Sequence, residues 1–191
     1  IGDQEMFPSL LSEIAPLTAA APEDAVISTD GYQIGETHPD VHYSDAMFEA
    51  RQAQDLAALE LVIGKLSSQQ LAGYQLLAES TVPWLDGDQF VDAAMWTETN
   101  GAFHDYLFVA TGNRHLLGAY QALGLRGRMD EVLRNACWCH PQSAQDHLDI
   151  VAAFRAGDRD KVRDLFIAHS GRAIETMRRA IAEGRELVGQ H

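Results

Sequence analysis

Apolar residues recur at helical spacing through nearly the whole chain after Ser44, and this pattern limits the fold more than any other feature. The segment SDAMFEARQAQDLAALELVIGKL, residues 44–66, has a plausible N-cap in Ser44 and predicts a long helix. Further segments with the same spacing predict helices that begin near residues 67, 88, 113, 142 and 158. Because no βαβ alternation or internal repeat interrupts the pattern, the sequence predicts an all-α fold, an antiparallel helical bundle.

Glycine, proline and capping residues mark where these helices end. The Val82-Pro83 pair ends the second helix, because proline disfavours helix in the residue before it, and PWLDGD follows as a loop. Gly112-Asn113 ends the third helix, and a further interruption is expected between Gly124 and Gly127. The last two helices are joined by Ala156-Gly157-Asp158, where glycine suits a C-terminal cap and aspartate suits the next N-cap.

Residues 1–43 form a separate and less regular segment. Four of the six prolines lie in it, and STDGYQIG at 28–35 is turn-like. A short hairpin is expected within 26–36, and no strand is expected elsewhere. The predicted division of the chain is therefore 1–43, a linker-like segment, and 44–191, a helical domain.

The chain is strongly acidic, with a formal net charge of -14 in 191 residues. This charge argues against a broad surface that neutralises nucleic-acid phosphates or anionic lipid headgroups. No apolar run approaches the length of a membrane span, and the start IGDQEMFPSLL lacks the features of a signal peptide. We therefore expect a cytoplasmic location, with Cys137 and Cys139 as ordinary reduced thiols.

Three histidines and one asparagine are spaced so that they can converge. Asn100 and His104 share one helix face, because they are four residues apart. His147 and His169 lie ten residues before and twelve residues after Gly157, so an antiparallel helix pair brings them to similar heights. The spacing therefore places candidate ligands on three different helices.

These residue types in this arrangement are typical of a metal site. Imidazole nitrogen is a common protein ligand for transition metals, and three imidazoles leave coordination positions free for water or a ligand. The predicted cofactor is one divalent metal ion, with zinc, nickel, iron and manganese as candidates. A single histidine on a helix is more often a core or surface residue, so spacing alone leaves that alternative open. Four other histidines are interpreted as surface residues: His38, His42, His115 and His140.

Three stretches of the sequence resemble a known family. NGAFHDYLFVATGNRHL is similar to a pattern in which Asp or Asn precedes a Phe-His pair, followed by a Gly-Asn break. DHLDIVAAFRAGDRDKVRDLFIAH is similar to a closing motif with a histidine, an apolar helix, a Gly-Asp turn and a second histidine. FEARQAQDLAALE resembles the opening helix with its arginine. Together they cover roughly residues 45–185, and the chain is identified as a member of the FCD domain family, the effector domain of FadR-type GntR regulators.

The resemblance implies an antiparallel bundle of six or seven helices around a cavity, with a metal held by an acidic residue and three histidines. These roles fall on Asn100, His104, His147 and His169, and small carboxylates are the implied effectors. The sequence departs from the family pattern at Asn100, because metal-binding members often carry Asp and an amide oxygen is a neutral, weaker ligand. The loss of one negative charge makes a divalent site more positive, which favours an anionic effector bound to the metal.

Arginines are the candidate carboxylate-binding residues. Arg51 holds the position of the family's opening-helix arginine and is suited to a bidentate contact, and a surface arginine is the alternative interpretation. Arg126 and Arg128 are weaker candidates for the same role. Other side chains expected in the core, the cavity wall or around the ligands are Trp84, Trp96, Trp138, Glu98 and Asp105.

The N-terminal segment resembles parts of the winged helix-turn-helix that precedes this domain in GntR regulators. VISTDGYQIGETHPDVHYSDAMFEAR resembles the wing hairpin and its connector, and FPSLLSEIAPLTAAA resembles a remnant of the preceding helix. A complete recognition helix is not present in these residues, so the chain as given is not expected to bind an operator.

Two functional classes follow from these patterns. The first is a sensor, a metal-dependent domain that binds a small carboxylate without a complete DNA-binding part. The second is a metal-dependent enzyme in which the three-histidine centre acts on a small organic substrate. A purely structural or dimerisation role is the third option. A homodimer is expected, because the family's regulators bind paired half-sites and an amphipathic bundle commonly has a helix face to spare.

Overall fold

Helices dominate the described part of the chain. The computed structural model describes the backbone of residues 39–188 and the side chains of residues 41–184. Within that range the all-α prediction is confirmed, with seven α-helices and one small hairpin. The elements are α1 Pro39–Val62, α2 Ser68–Thr81, a 3₁₀ turn Val82–Trp84, β1 Leu85–Asp86, β2 Gln89–Phe90, α3 Ala93–Ala110, α4 Arg114–Ala122, α5 Leu125–Leu133, α6 Ser143–Ala156 and α7 Arg159–Val188.

Most predicted helix ends are confirmed by their caps. Ser67 and Gln70 form a capping box at the start of α2, in which each side chain accepts a backbone N–H of the other residue. The Asn113 side chain accepts two backbone N–H groups at the start of α4. Gly157 ends α6 in the left-handed region at φ 68°, and Asp158 then accepts the Lys161 N–H at the start of α7. The final two helices therefore form the expected hairpin.

The start of α1 differs from the prediction. The helix begins at Pro39, and Ser44 is a buried residue inside it instead of its N-cap. Proline is well suited to the first turn of a helix, because the N–H that it lacks would have no helical acceptor there. The predicted hairpin at 26–36 lies outside the described residues.

A hairpin occupies the segment that was predicted to be a loop and the start of α3. In β1 and β2, Leu85 pairs with Phe90 and Asp86 with Gln89, which leaves Gly87 and Asp88 as a two-residue turn. Gly87 has a φ of 62°, which a glycine adopts without steric cost at the first turn position. Because the strand takes up residues 89 and 90, α3 starts at Ala93 and not near 88, with Asp92 as its N-cap.

The bundle packs around a layer of polar side chains that separates two hydrophobic clusters. α1 packs on α7, α7 on α6, and α2 on both α3 and α6. We call the first cluster the distal core, composed of Ala58, Leu59, Val62, Tyr74, Ala78, Phe103, Leu107, Phe108, Ile150, Val151, Ala153, Phe154, Val162 and Phe166. We call the second the cavity core, composed of Met47, Phe48, Trp96, Leu125, Met129, Leu133, Met177 and Ala180.

No helix in residues 39–188 is both long enough and apolar enough to cross a membrane.

Candidate metal centre

Three histidines from three helices meet in the polar layer between the two cores. α3 supplies His104, α6 supplies His147 and α7 supplies His169. Each is buried, with no more than 3% of its surface exposed. One ligand nitrogen from each ring can be chosen so that all of them lie within 4.8 Å of one another. The geometry therefore brings together His147 and His169, which the spacing had placed at similar heights, and adds His104 to them.

The closest contact in this histidine cluster joins two ring nitrogens. His104 Nε2 lies 3.3 Å from His169 Nε2. A proton on either atom would make this contact a hydrogen bond; with lone pairs on both atoms the two nitrogens repel, and a cation that both bind removes that repulsion. The third ring, that of His147, is also near, because its centroid lies 4.8 Å from that of His169.

Thr81 fixes the protonation pattern of His147. The Thr81 hydroxyl donates to the Ala78 carbonyl at 2.7 Å, so it accepts a hydrogen bond from His147 Nδ1–H at 3.1 Å. The lone pair of His147 is then on Nε2, which is buried and finds no hydrogen-bond partner among the described residues. Trp96 and Phe103 stack on the ring, at 5.6 Å and 4.1 Å between centroids, and hold its orientation.

Asp146 performs the corresponding role for His169. Its Oδ2 lies 3.3 Å from His169 Nδ1, and Arg172 donates to the same carboxylate through two hydrogen bonds of 2.8 and 2.6 Å. Burial raises the pKa of Asp146, but the hydrogen bonds and charges of His169 and Arg172 outweigh that effect and leave the pKa below 3.8. The carboxylate therefore stays ionised and leaves His169 Nε2 free to act as an acceptor.

Asp55 and Arg51 lie on either side of His104. Asp55 Oδ1 is 3.6 Å from His104 Nδ1, and Arg51 Nη1 is 3.3 Å from His104 Nε2. Asp55 also pairs with Arg51 at 3.4 Å, one helical turn away on α1. Burial raises the pKa of Asp55 to about 6, although the charges of Arg51 and His169 oppose this. His147 and His169 therefore have hydrogen-bond partners at their outer nitrogens, whereas His104 Nδ1 is buried with no hydrogen bond among the described residues and has only the Asp55 carboxylate near it.

All three histidines favour the neutral form that binds metals. Burial lowers the pKa of each ring, because desolvation disfavours the imidazolium. The pKa values of His104 and His147 fall well below 6.5, and the charge of Arg51 lowers both further. For His169 the hydrogen bond to Asp146 opposes the effect of burial without cancelling it. Buried neutral imidazoles with convergent inner nitrogens fit a divalent ion, and hydrogen bonds fix the outer nitrogens of two of them, His147 and His169.

A small cavity adjoins the cluster on the side of the cavity core. Its volume is about 20 Å³, which is room for about one water molecule. Arg51, Asn100 and His169 line it together with apolar side chains that include Trp96 and Met129. Arg51 is 1% exposed, and its Nη2 has no hydrogen-bond partner within the described part of the chain. The predicted carboxylate-binding arginine therefore lies beside the cluster.

Asn100 is buried in the wall of this cavity. Its side-chain amide donates to the Met129 sulfur at 3.7 Å, a weak hydrogen bond. It is one helical turn before His104 on the face that carries the cluster. Its role as a fourth metal ligand stays a prediction.

The other two predicted arginines lie elsewhere. Arg126 is 42% exposed and pairs with Glu98 and Asp105, which were candidates for orienting ligands. Arg128 donates to Ser44 Oγ at 3.0 Å and to Glu131. Neither arginine lines the cavity beside the histidines.

The remaining sequence interpretations have mixed outcomes. His42 and His115 are exposed as expected, whereas His140 is half-buried and His38 lies outside the described residues. Trp96 is in the cavity wall, while Trp84 and Trp138 are only half-buried. The two cysteines are unpaired, with Cys137 exposed and Cys139 buried.

Four residues of the site were missed from the sequence: Asp55, Thr81, Asp146 and Arg172. The spacing along the sequence could have indicated two of them. Asp55 is four residues after Arg51 and Arg172 is three residues after His169, which places each pair on one helix face. Thr81 had no such signal, since it meets His147 only through packing of α2 on α6.

Two comparisons with known proteins bear on the family of the chain. Comparison with curated proteins gives no match. Among protein families, the FCD domain matches residues 46–172, well over half of the chain. The matched range includes the three histidines, Arg51, Asp55, Asp146 and Arg172. The chain therefore belongs to the FCD domain family.

Proposed function

We propose that this chain is a metal-dependent sensor domain of a GntR-type regulator. One divalent ion binds His104, His147 and His169, and a small carboxylate binds at the open side of that ion. Zinc, nickel, iron and manganese are the candidate metals, because all accept imidazole ligands. Binding of the carboxylate is the signal that the domain passes to the regulator.

The observation that carries this proposal is the arrangement around the three rings. Thr81 and Asp146 hold the outer nitrogens of His147 and His169, and Asp55 lies beside that of His104. Such outer partners orient metal-binding histidines and fix the nitrogen that carries the lone pair. A histidine buried only for packing needs one partner for each polar nitrogen, yet His147 Nε2 has none in the described chain.

The side chains beside the cluster support a carboxylate as the ligand. Three imidazoles leave positions on the ion free, and Asn100 serves either as a weak fourth ligand or as a hydrogen-bond partner to metal-bound water. Arg51 lines the adjoining cavity and is suited to pair with a carboxylate through two donors. A metal bound here would supply a Lewis-acidic anchor for one carboxylate oxygen.

The alternative is an enzyme with the same centre, because open positions on a metal also permit catalysis. We favour the sensor, since membership of the FCD family connects the fold with ligand binding. The two are separated by incubating the zinc-loaded protein with a set of small carboxylates and analysing the mixture by NMR. Recovery of unchanged ligand is expected, whereas a new product would replace the sensor with the enzyme.

The metal site itself is tested by metal analysis and thermal unfolding. The wild-type protein should bind one zinc, nickel, manganese or iron ion per chain and unfold at a higher temperature with the ion than after chelation, because the ion binds the folded state. His147→Ala should abolish this shift. His115→Ala is the matched control, since His115 is an exposed histidine on α4, and it should behave as wild type.

A purified protein that contains none of these metals, and whose melting temperature does not respond to any of them, would contradict the proposal. A shift that His115→Ala removes as completely as His147→Ala would also contradict it. The expected homodimer is tested on the same sample by light scattering.

A further inference from the structure

Part of the cavity wall beside the histidine cluster is not helical. Phe90 and Cys139 line the cavity, and both lie outside the helices that supply its other walls. They belong to one small structure, because the Cys139 N–H donates to the Asp88 carbonyl at 2.9 Å and joins its segment to the β1–β2 hairpin. We call residues 85–90 and 137–139 together the β-unit.

The β-unit is only shallowly buried. Cys139 is its one buried residue, Leu85, Phe90 and Trp138 are half-buried, and the rest are exposed. Trp84, directly before β1, has an indole N–H that is buried without a hydrogen-bond partner in the described chain. Water that enters when the β-unit moves would supply this missing hydrogen bond. Segments with few buried apolar contacts open at a lower free-energy cost than the core of a bundle.

The β-unit and the helical walls are attached differently. Arg178 on α7 donates three hydrogen bonds of 2.6 to 3.2 Å to Asp45 on α1, which ties two helices of the cavity together. The β-unit contacts the same helix through a cation–π pair, in which the guanidinium of exposed Arg179 lies 3.9 Å from the centre of the Trp138 ring. Such a pair is a weak restraint at an exposed position.

The closed cavity is too small for the proposed ligand. Its volume of about 20 Å³ has room for about one water molecule, and any carboxylate is larger than that. We propose that the β-unit opens as a lid and is the route by which small ligands reach the metal centre. This inference rests on the proposed function, because it concerns how the ligand of that function enters. Opening of the lid then limits how fast the domain responds.

The thiol of Cys139 reports on this opening without any metal or ligand. The whole chain with Cys137→Ser retains Cys139 as its only cysteine, and Cys139 is 1% exposed. Burial raises the pKa of this thiol to about 11, which slows its reaction further while the wall is closed. Labelling by iodoacetamide, with a chelator present, should be faster than global unfolding and nearly independent of low urea concentrations, because a lid exposes little surface.

Two neighbouring arginines separate the lid from the helical walls. In the Cys137→Ser background, Arg179→Ala removes the cation–π contact and should raise the labelling rate of Cys139 about threefold. Arg178→Ala is the matched control, because it removes the same charge one residue away but loosens α7 from α1 instead. It should label at the rate of its parent. Zinc uptake from a coloured chelator should accelerate in Arg179→Ala by the same factor as labelling.

The outcomes separate the lid from the proposed function. Labelling that requires global unfolding, with the same urea dependence, would overturn the lid and leave the metal site intact, and the parent decides this even where Arg179→Ala does not fold. Equal rates in Arg178→Ala and Arg179→Ala, or faster labelling without faster zinc uptake, would also overturn it. A wild-type protein that binds no zinc would overturn the proposed function, while the labelling rates would still show whether the β-unit opens.

Discussion

The distal core and the histidine cluster are buried to the same depth but contain opposite kinds of side chain. Leu59, Leu107 and Phe108 in the distal core are 0% exposed, and the three histidines are between 0 and 3% exposed. Burial of apolar surface stabilises the fold by about 25 cal/mol per Å². Buried polar groups lose their hydrogen bonds to water, and only well-placed partners in the protein replace them. The bundle therefore gains stability from the apolar side chains buried in the distal core and loses part of it through the polar side chains buried in the histidine cluster.

The cavity core is apolar like the distal core, but more of its side chains are flexible methionines. Three of its eight buried residues are methionines, Met47, Met129 and Met177, whereas the distal core has none. Methionine is flexible and adapts to changes in its surroundings. Together with the cavity, this composition predicts that the cavity core adapts to changes in its surroundings more readily than the distal core.

The largest expected effect is the dependence of the free energy of unfolding on pH. It should arise from the histidine cluster and not from the distal core. The pKa values of His104, His147 and His169 are lowered in the folded state, so below about pH 6.5 the unfolded chain binds protons that the fold excludes. Stability of the metal-free protein should therefore fall as the pH decreases from about 7.5 to 5.5, by up to about 1.4 kcal/mol per pH unit for each histidine.

Asp55 should change the stability with pH in the opposite direction. Its pKa is raised to about 6 from 3.8, so the folded state takes up this proton first and recovers part of the loss below about pH 6. Arg51 and Asp146 are the other charged groups that act on the histidines. Urea unfolding at a series of pH values, with a chelator present, measures the balance. His115→Ala should show the wild-type slope, and a flat profile between about pH 7.5 and 5.5 would show that the histidines are not held neutral.

The next largest effect comes from truncation in the distal core. Leu59→Ala should lower the free energy of unfolding by about 3 kcal/mol, because it removes buried apolar surface and leaves a cavity in the distal core. Zinc stoichiometry should stay at the wild-type value, since Leu59 is not part of the cluster. Denaturant unfolding and metal analysis on the same preparation check both points. A loss below about 1 kcal/mol would mean that the distal core adapts as the cavity core is expected to do.

The same contrast explains what the sequence could predict. Helical spacing and local caps gave the bundle, because both depend on residues within one or two turns of each other, as with Ser67 and Gln70. The hairpin at 85–90 was missed, since two-residue strands are too short to show alternation. Pro39 lies in the segment 1–43 that the prolines predicted to be irregular, yet it starts α1, because proline is also well suited to the first turn of a helix.

The site was predicted only as far as local rules extend. His147 and His169 were matched in height because both are counted from the Gly157 turn. The partners at the outer nitrogens, such as Thr81 with His147 or Asp55 with His104, join different helices and depend on how those helices pack. Arg126 illustrates the same limit, because its pairing with Glu98 and Asp105 on α3 could not be read from spacing.

The smallest effect is expected from swaps of equal volume, and it separates the two cores most finely. Met129→Leu in the cavity core and Leu59→Met in the distal core exchange the same two residue types in opposite directions. Such swaps usually cost less than about 1.5 kcal/mol. Met129→Leu should be the milder change, because Met129 lines the cavity, where the branched side chain has room, and loses only a weak contact with Asn100 at 3.7 Å. Leu59→Met should cost more, since the distal core must accommodate a longer, unbranched chain without such space. Denaturant midpoints of the two variants, measured in the metal-free state, give the difference, and a larger loss for Met129→Leu would mean that the cavity core is the more rigid region.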